Sequence, residues 1–146
     1  MASDHEILAN LPHRPPFLWV DRIIEQGNGR IITEKDIDPQ LDVFQGHFPD
    51  YPLLPGVLLC EAIFQTGALL IAKDSEANGL AGGLPVLTRI KSAKFKHEVR
   101  PGDIIRMEVE LTDREGPAWF LKGRLSVADK TALTVHFACT TKSLSA

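Results

Sequence analysis

Cysteine is scarce in this chain: 146 residues hold two, Cys60 and Cys139, each within an apolar run. Two cysteines exclude a disulfide framework, and both read as small buried hydrophobes in a reducing compartment. An excess of charge is lacking too, with 16 lysines and arginines against 19 acids and a net charge of −3. A chain so balanced does not carry the electrostatic footprint of a nucleic-acid binder. Met1 to Arg14 contain no basic stretch leading into an apolar one, so no secretory signal is expected and the cytoplasm is the default location. Internal repeats, low-complexity tracts and Ser/Pro/Gly linkers are missing as well. With 44% hydrophobic and 24% charged residues, the remaining reading is one folded domain over residues 1–146. Long hydrophobic runs number one, Pro55 to Ala72, with Glu61 and Gln65 in its middle. A central charge costs an isolated membrane span roughly 2.5 to 3.5 kcal/mol, and no second span shares that cost, so the run predicts a buried core helix.

What is present is helix and strand in unequal measure. Ser3 or Asp4 can cap a short helix through about Asn10, which Pro12, Pro15 and Pro16 prevent from continuing. Strands are predicted near Leu18 to Glu25 and Arg30 to Asp36, with Gln26 to Gly29 as the turn. A proline-punctuated stretch, Ile37 to Leu54, precedes a long helix over Pro55 to Lys73 that is apolar on nearly every face. After a glycine-rich break at Asn78 to Gly83, five more strands follow: Pro85 to Ile90, Ala93 to Glu98, Ile104 to Thr112, Trp119 to Val127 and Leu133 to Thr141. Six or seven strands joined by tight turns around one helix make an α+β layout, a curved antiparallel sheet wrapped on a central helix.

The chemistry is concentrated in Phe44 to Gln65, FQGHFPDYPLLPGVLLCEAIFQ. Prolines 49, 52 and 55 stiffen the loop, so His47 is held with little backbone freedom, as a catalytic group requires. Pro55 suits the first helical position, and Leu54 before it has no side-chain oxygen to cap the helix. The amides of Gly56 and Val57 are therefore candidates to hold a carbonyl oxygen that gains negative charge. Glu61, among Leu58, Leu59, Ala62, Ile63 and Phe64, needs a partner or must favour its neutral form, and Gln65 at i+4 can hydrogen-bond it. A histidine base, a carboxylic acid and a backbone oxyanion site form the set for eliminating water after proton abstraction next to a carbonyl, with no cofactor and no metal. Phe48 and Tyr51 join Gly56, Val57 and Gln65 as expected substrate-binding residues.

These motifs resemble the β-hydroxyacyl-(acyl carrier protein) dehydratases of type II fatty acid synthesis, which have the hot-dog fold. The resemblance rests on LPHRPPFLWVDRI (Leu11 to Ile23), FQGHFP (Phe44 to Pro49), PGVLLCEA (Pro55 to Ala62), Lys94-Phe95 and Pro101-Gly102-Asp103. It implies that His47 and Glu61, fourteen residues apart, are the catalytic pair. It also implies that the two act from different subunits of a dimer, or of a hexamer of three dimers, and that acyl carrier protein brings the substrate. Departures are Asp50-Tyr51 in place of Gly-Asn, Leu53-Leu54 in place of Val-Met, and Ala128-Asp129-Lys130 without the usual glycine. A hot-dog thioesterase, or a dehydratase of a polyketide or other specialised acyl pathway, is the alternative.

Other residues have plainer readings beside the functional ones. Cys60 points about 100° away from Glu61 on a helix and reads as core. His13 and Arg14 sit in a proline-rich connection, where anchoring the first helix near Asp21 or Arg22 is expected. Arg89, Lys91, Lys94, Lys96 and Arg100 form a local basic excess with Glu98 as the lone acid between them. They read as a docking patch for a negatively charged carrier protein, or as lysine protection of a strand edge.

Overall fold

A computed structural model describes residues 4–74 and 83–142. Ser3 and most of the glycine-rich break lie outside them, as does the side chain of Asp4. The first helix, α1, spans Asp4–Asn10. Strands β1, Arg22–Gly27, and β2, Arg30–Asp36, follow. A 3-10 turn at Asp42–Gln45 precedes the long helix α2, Gly56–Asp74. Four longer strands complete the described chain: β3 (Leu84–Phe95), β4 (Ile104–Glu115), β5 (Ala118–Val127) and β6 (Lys130–Lys142). All pair antiparallel in one six-stranded sheet of order β1-β2-β4-β5-β6-β3.

Two boundaries differ from those predicted, each for a local physical reason. β1 starts at Arg22 rather than Leu18, because the Trp19 amide donates to the side chain of Gln65 at 2.8 Å instead of to a neighbouring strand. The two strands expected around Lys91 are one, since register shifts between Leu87 and Arg89 and between Ile90 and Ser92 absorb the extra residues as bulges. The sheet therefore has six strands, with β3 along one edge.

The helix lies against the sheet, with Leu59, Ala62, Ile63, Thr66 and Leu69 to Ala72 buried. It is the one described helix long and apolar enough to cross a membrane, yet 67% of that stretch is buried inside the fold. Its polar tie to the sheet is also internal. Thr66 donates to the Ala62 carbonyl at 2.8 Å and must then accept from Thr33 of β2, also 2.8 Å away. Closest approach is at Gly123 of β5, where an added Cβ would collide with Ile63 Cγ2. Ile63 is fully buried and has no free direction to move. Gly123→Ala is expected to destabilise by about 1–3 kcal/mol, measured as a lower midpoint of chemical denaturation; an unchanged midpoint would show that helix and sheet can separate without cost.

Turn chemistry follows the sequence in one hairpin and departs from convention in another. Asn28 and Gly29 take left-handed conformations (φ 54° and 73°) between β1 and β2, as an Asn-Gly pair favours. Between β5 and β6 the same conformations fall on Ala128 and Asp129 (φ 48° and 69°), where Ala128 lacks both glycine's freedom and a side chain able to bond its own backbone.

Candidate active site

His47 sits in a loop closed by its own backbone bonds. Its amide donates to the Val43 carbonyl at 3.1 Å and its carbonyl accepts from Leu53 N at 2.9 Å, while Phe48 and Tyr51 exchange two backbone bonds. The imidazole stacks on Phe48, with centroids 4.1 Å apart, and its Nδ1 lies 2.9 Å from the Leu53 carbonyl oxygen. A carbonyl only accepts, so Nδ1 carries the hydrogen and Nε2 keeps its lone pair. The loop thus presents a base atom in a defined tautomer.

A second tether connects this loop to the segment between β3 and β4. Leu54 N donates to Val99 O at 2.8 Å, and the Tyr51 hydroxyl donates to Glu98 at 2.6 Å. Arg100 reaches both Tyr51 Oη (2.8 Å) and Glu98 (3.0 Å). The Glu98 carboxylate raises the Tyr51 phenol pKa, and the bonds from Tyr51 and Arg100 lower that of Glu98. Arg100, one of the five basic residues singled out in the sequence, is engaged in this clamp. Arg89, Lys91, Lys94 and Lys96 are exposed and form no ion pair among the described residues. Arg89 and Lys91 line a groove of about 260 Å³ that also includes Asp113, Glu115 and His136, so the surface there is mixed in sign.

The start of α2 carries the expected free amides, one position displaced. The Pro55 carbonyl accepts from both Leu58 N (3.0 Å) and Leu59 N (3.2 Å), so Pro55 occupies the cap position and Gly56 and Val57 the first two helical ones. Proline offers no side-chain oxygen, and neither amide has a partner among the described residues. Gly56 is also closely packed: the Phe95 ring lies over it, with Cε1 2.7 Å from where a Cβ would stand. Val57 is 75% exposed, and Phe48, Tyr51 and Phe95 are exposed as well.

Glu61 lies on the least buried stripe of α2, in line with Val57, Phe64 and Ala68, rather than deep among the leucines. It lines a cleft of about 180 Å³ with His13, Phe64, Gln65, Ala68, Pro85, Val86, Leu87 and Cys139. Gln65 is 1% exposed and makes three bonds: Oε1 accepts from Trp19 N at 2.8 Å, and Nε2 donates to Phe17 O at 2.9 Å and to Glu61 Oε2 at 3.0 Å. Because the Trp19 N–H can only donate, the orientation of the Gln65 amide follows from it. Oε2 of Glu61 is therefore an acceptor, and a proton on this carboxyl belongs on Oε1.

His13, which the sequence left as an anchor near Asp21 or Arg22, stands elsewhere. Its Nε2 is 3.5 Å from Glu61 Oε2, while Asp21 bonds Lys35 and the Asp36 amide, and Arg22 pairs with Glu34 and Asp36. Nothing in local spacing could reveal this contact, since 48 residues separate the two groups. Cys60 and Cys139 behave as core thiols: burial, then the neighbouring Glu61 charge, raises the Cys60 pKa, and burial pushes Cys139 up to about 12. Among the described residues no three His, Cys, Asp or Glu side chains gather as metal ligands.

Within the single chain no hydrogen bond or ion pair joins His47 to Glu61, and His47 does not line the Glu61 cleft. His47 is held by its loop and Glu61 by Gln65, without a contact between the two.

The family model of the FabA-like domain matches residues 11–136. The chain is 41% identical over 125 residues, 86% of its length, to the 3-hydroxyacyl-[acyl-carrier-protein] dehydratase FabZ of Petrotoga mobilis, of which it covers 87%. It is 44% identical to that of Chloroflexus aggregans, with 90% of each chain covered. Among solved structures, the dehydratase heterocomplex ApeI:P of Xenorhabdus doucetiae matches with a TM-score of 0.77 over 94% of this chain and 91% of that one, at 13% identity. The PaaI protein of the E. coli phenylacetic acid degradation operon matches at 0.62, over 81% of this chain and 80% of that one, also at 13% identity. These structural matches establish the fold, the hot-dog arrangement of an antiparallel sheet around one helix. Together with the extent and level of the sequence identity, they place the chain in the FabA-like family of 3-hydroxyacyl-[acyl-carrier-protein] dehydratases.

Proposed function

We propose that this chain removes water from a (3R)-3-hydroxyacyl thioester on acyl carrier protein to give the trans-2-enoyl thioester of fatty acid biosynthesis. One observation carries the reading beyond family membership: each reacting side chain has its inactive atom occupied. His47 Nδ1 is bound to Leu53 O and Glu61 Oε2 to Gln65, which leaves His47 Nε2 and Glu61 Oε1 free of these bonds. His47 Nε2 takes the α-proton, and the C–H electron pair becomes the new double bond. The Cβ–O bond breaks, and the hydroxyl leaves as water with the proton from Glu61 Oε1. The thioester oxygen gains charge as the α-proton leaves and is held by the Gly56 and Val57 amides. Phe48, Tyr51 and Val57 form the apolar entrance for the acyl chain.

The pair meets across a two-fold axis. β3 is an edge strand with exposed Val86, Leu87, Ile90 and Phe95. Its Phe95 end lies over Gly56 beside the His47 loop, and its Pro85–Leu87 end lines the Glu61 cleft. Antiparallel pairing with a second β3 about the strand's midpoint sets the His47 end of one copy against the Glu61 end of the other. That pairing also covers the exposed apolar side chains and the open edge. The site belongs to the dimer, and the cytoplasm suits its free, buried cysteines.

The test is the change in conjugated enoyl absorbance when purified protein meets hydroxyacyl and enoyl carrier-protein thioesters. Turnover in both directions with no free thiol released is the expected result; thiol release without absorbance change would make the protein a thioesterase. Docking of the carrier is assigned to Arg89, Lys91, Lys94 and Lys96. Lys94→Glu with Lys96→Glu is expected to raise KM for the carrier-linked substrate about fivefold or more at low salt, leaving KM for a pantetheine thioester unchanged. Equal effects on both substrates would place these lysines outside carrier docking.

A further inference from the structure

We infer that His13 is a positioning residue for the acid step, holding Glu61 so that its proton rests on Oε1 and the carboxylate left behind is stabilised. This rests on the dehydratase reading and adds a third side chain to it. His13 lines the same cleft as Glu61, and its Nε2 stands 3.5 Å from Glu61 Oε2, the oxygen that Gln65 Nε2 already approaches at 3.0 Å. The other ring nitrogen, Nδ1, is buried with no partner among the described residues. A hydrogen there would be a buried donor without an acceptor, which is more costly than a bare lone pair, so the hydrogen belongs on Nε2, facing Glu61.

The ring is also held in place by its own segment. Arg14 donates to the carbonyls of Leu8, Leu11 and His13 itself, at 3.0, 2.7 and 2.7 Å, which fixes the backbone of the segment. Phe17 stacks on the imidazole, with centroids 6.3 Å apart and planes inclined 22°, and the Phe17 carbonyl is bonded by the same Gln65 amide that holds Glu61. The Gln65 amide thus bonds one carboxyl oxygen at 3.0 Å, and the His13 N–H faces the same oxygen from 3.5 Å. They leave Oε1 as the sole position for a transferable proton. As that proton moves to the leaving hydroxyl, negative charge grows on the carboxylate, and both donors strengthen. Their gain is larger in the transition state than in the ground state, so it appears in kcat rather than in KM.

The experiment compares wild type, His13→Phe and His13→Gln for kcat, KM and thermal midpoint, with Glu61→Gln as the reference for a lost acid. Phenylalanine keeps the stack on Phe17 without a donor; glutamine restores a donor at similar reach. His13→Phe is expected to lower kcat about tenfold or more at nearly constant KM and midpoint, and His13→Gln to recover most of it. In a Glu61→Gln background, His13→Phe should have no further effect, because no proton remains to be placed. Full kcat in His13→Phe, an equal loss in His13→Gln, or a loss that adds to Glu61→Gln would each overturn the assignment. An inactive wild type would instead overturn the dehydratase reading itself, so the two failures are distinct.

Discussion

Two inactive proteins, His47→Ala and Glu61→Gln, are expected to make an active one when they are unfolded together and reassociated. Each alone loses the acid or the base of every site and falls by about 10²- to 10⁴-fold in kcat. In a mixed dimer, one site combines His47 of one subunit with Glu61 of the other, and the second site lacks both. Random reassociation makes about half the dimers mixed, each with one intact site of two, so about a quarter of wild-type activity returns. The reason is geometric: Phe95, at one end of β3, packs over Gly56, which follows the His47 loop, while Pro85 to Leu87, at the other end, line the Glu61 cleft. A mixture as inactive as its parents would place base and acid in a single chain.

Gln65→Leu is expected to cost both stability and turnover. Its side chain is 1% exposed and satisfies the Trp19 amide, the Phe17 carbonyl and Glu61 Oε2 at once. Leucine has similar volume but leaves two backbone groups without partners. At about 1–3 kcal/mol for each orphaned buried group, the loss is about 2–6 kcal/mol, and the thermal midpoint drops by about 5–20 °C. Below that midpoint kcat should still be depressed, since Glu61 has lost the donor that assigns its proton and the Phe17–Trp19 segment has lost its tie to α2. A variant with normal midpoint and normal kcat would mean that water replaces all three bonds.

Much of this was legible in the chain because it depends on near neighbours. An apolar run of helical length after Pro55 specifies α2, and Asn28-Gly29 specifies its hairpin. The i, i+4 relation of Glu61 and Gln65 is a property of any helix, and their bond is present at 3.0 Å. Other features were not legible, for a common reason. The chain near Trp19 reads as strand by composition, but its amide is taken by a side chain 46 residues away. Around Lys91 polar residues read as a break, while two bulges keep one strand in register with β6. Gly56 reads in the sequence as the bearer of a free amide, whereas its missing Cβ also makes room for Phe95.

The sequence by itself determined an α+β fold with one buried helix, a stiff loop bearing His47, free amides at Gly56 and Val57, and the Glu61–Gln65 pair. Each follows from backbone sterics, helix periodicity or the absence of a capping side chain, all of which act within a few residues. Only the tertiary structure decided the strand order, the tautomer of His47, the oxygen of Glu61 that accepts from Gln65, the presence of His13 beside it, and the lack of contact between His47 and Glu61 within the chain. Those depend on hydrogen bonds and packing between residues distant in the chain, whose geometry exists once the sheet has closed on the helix.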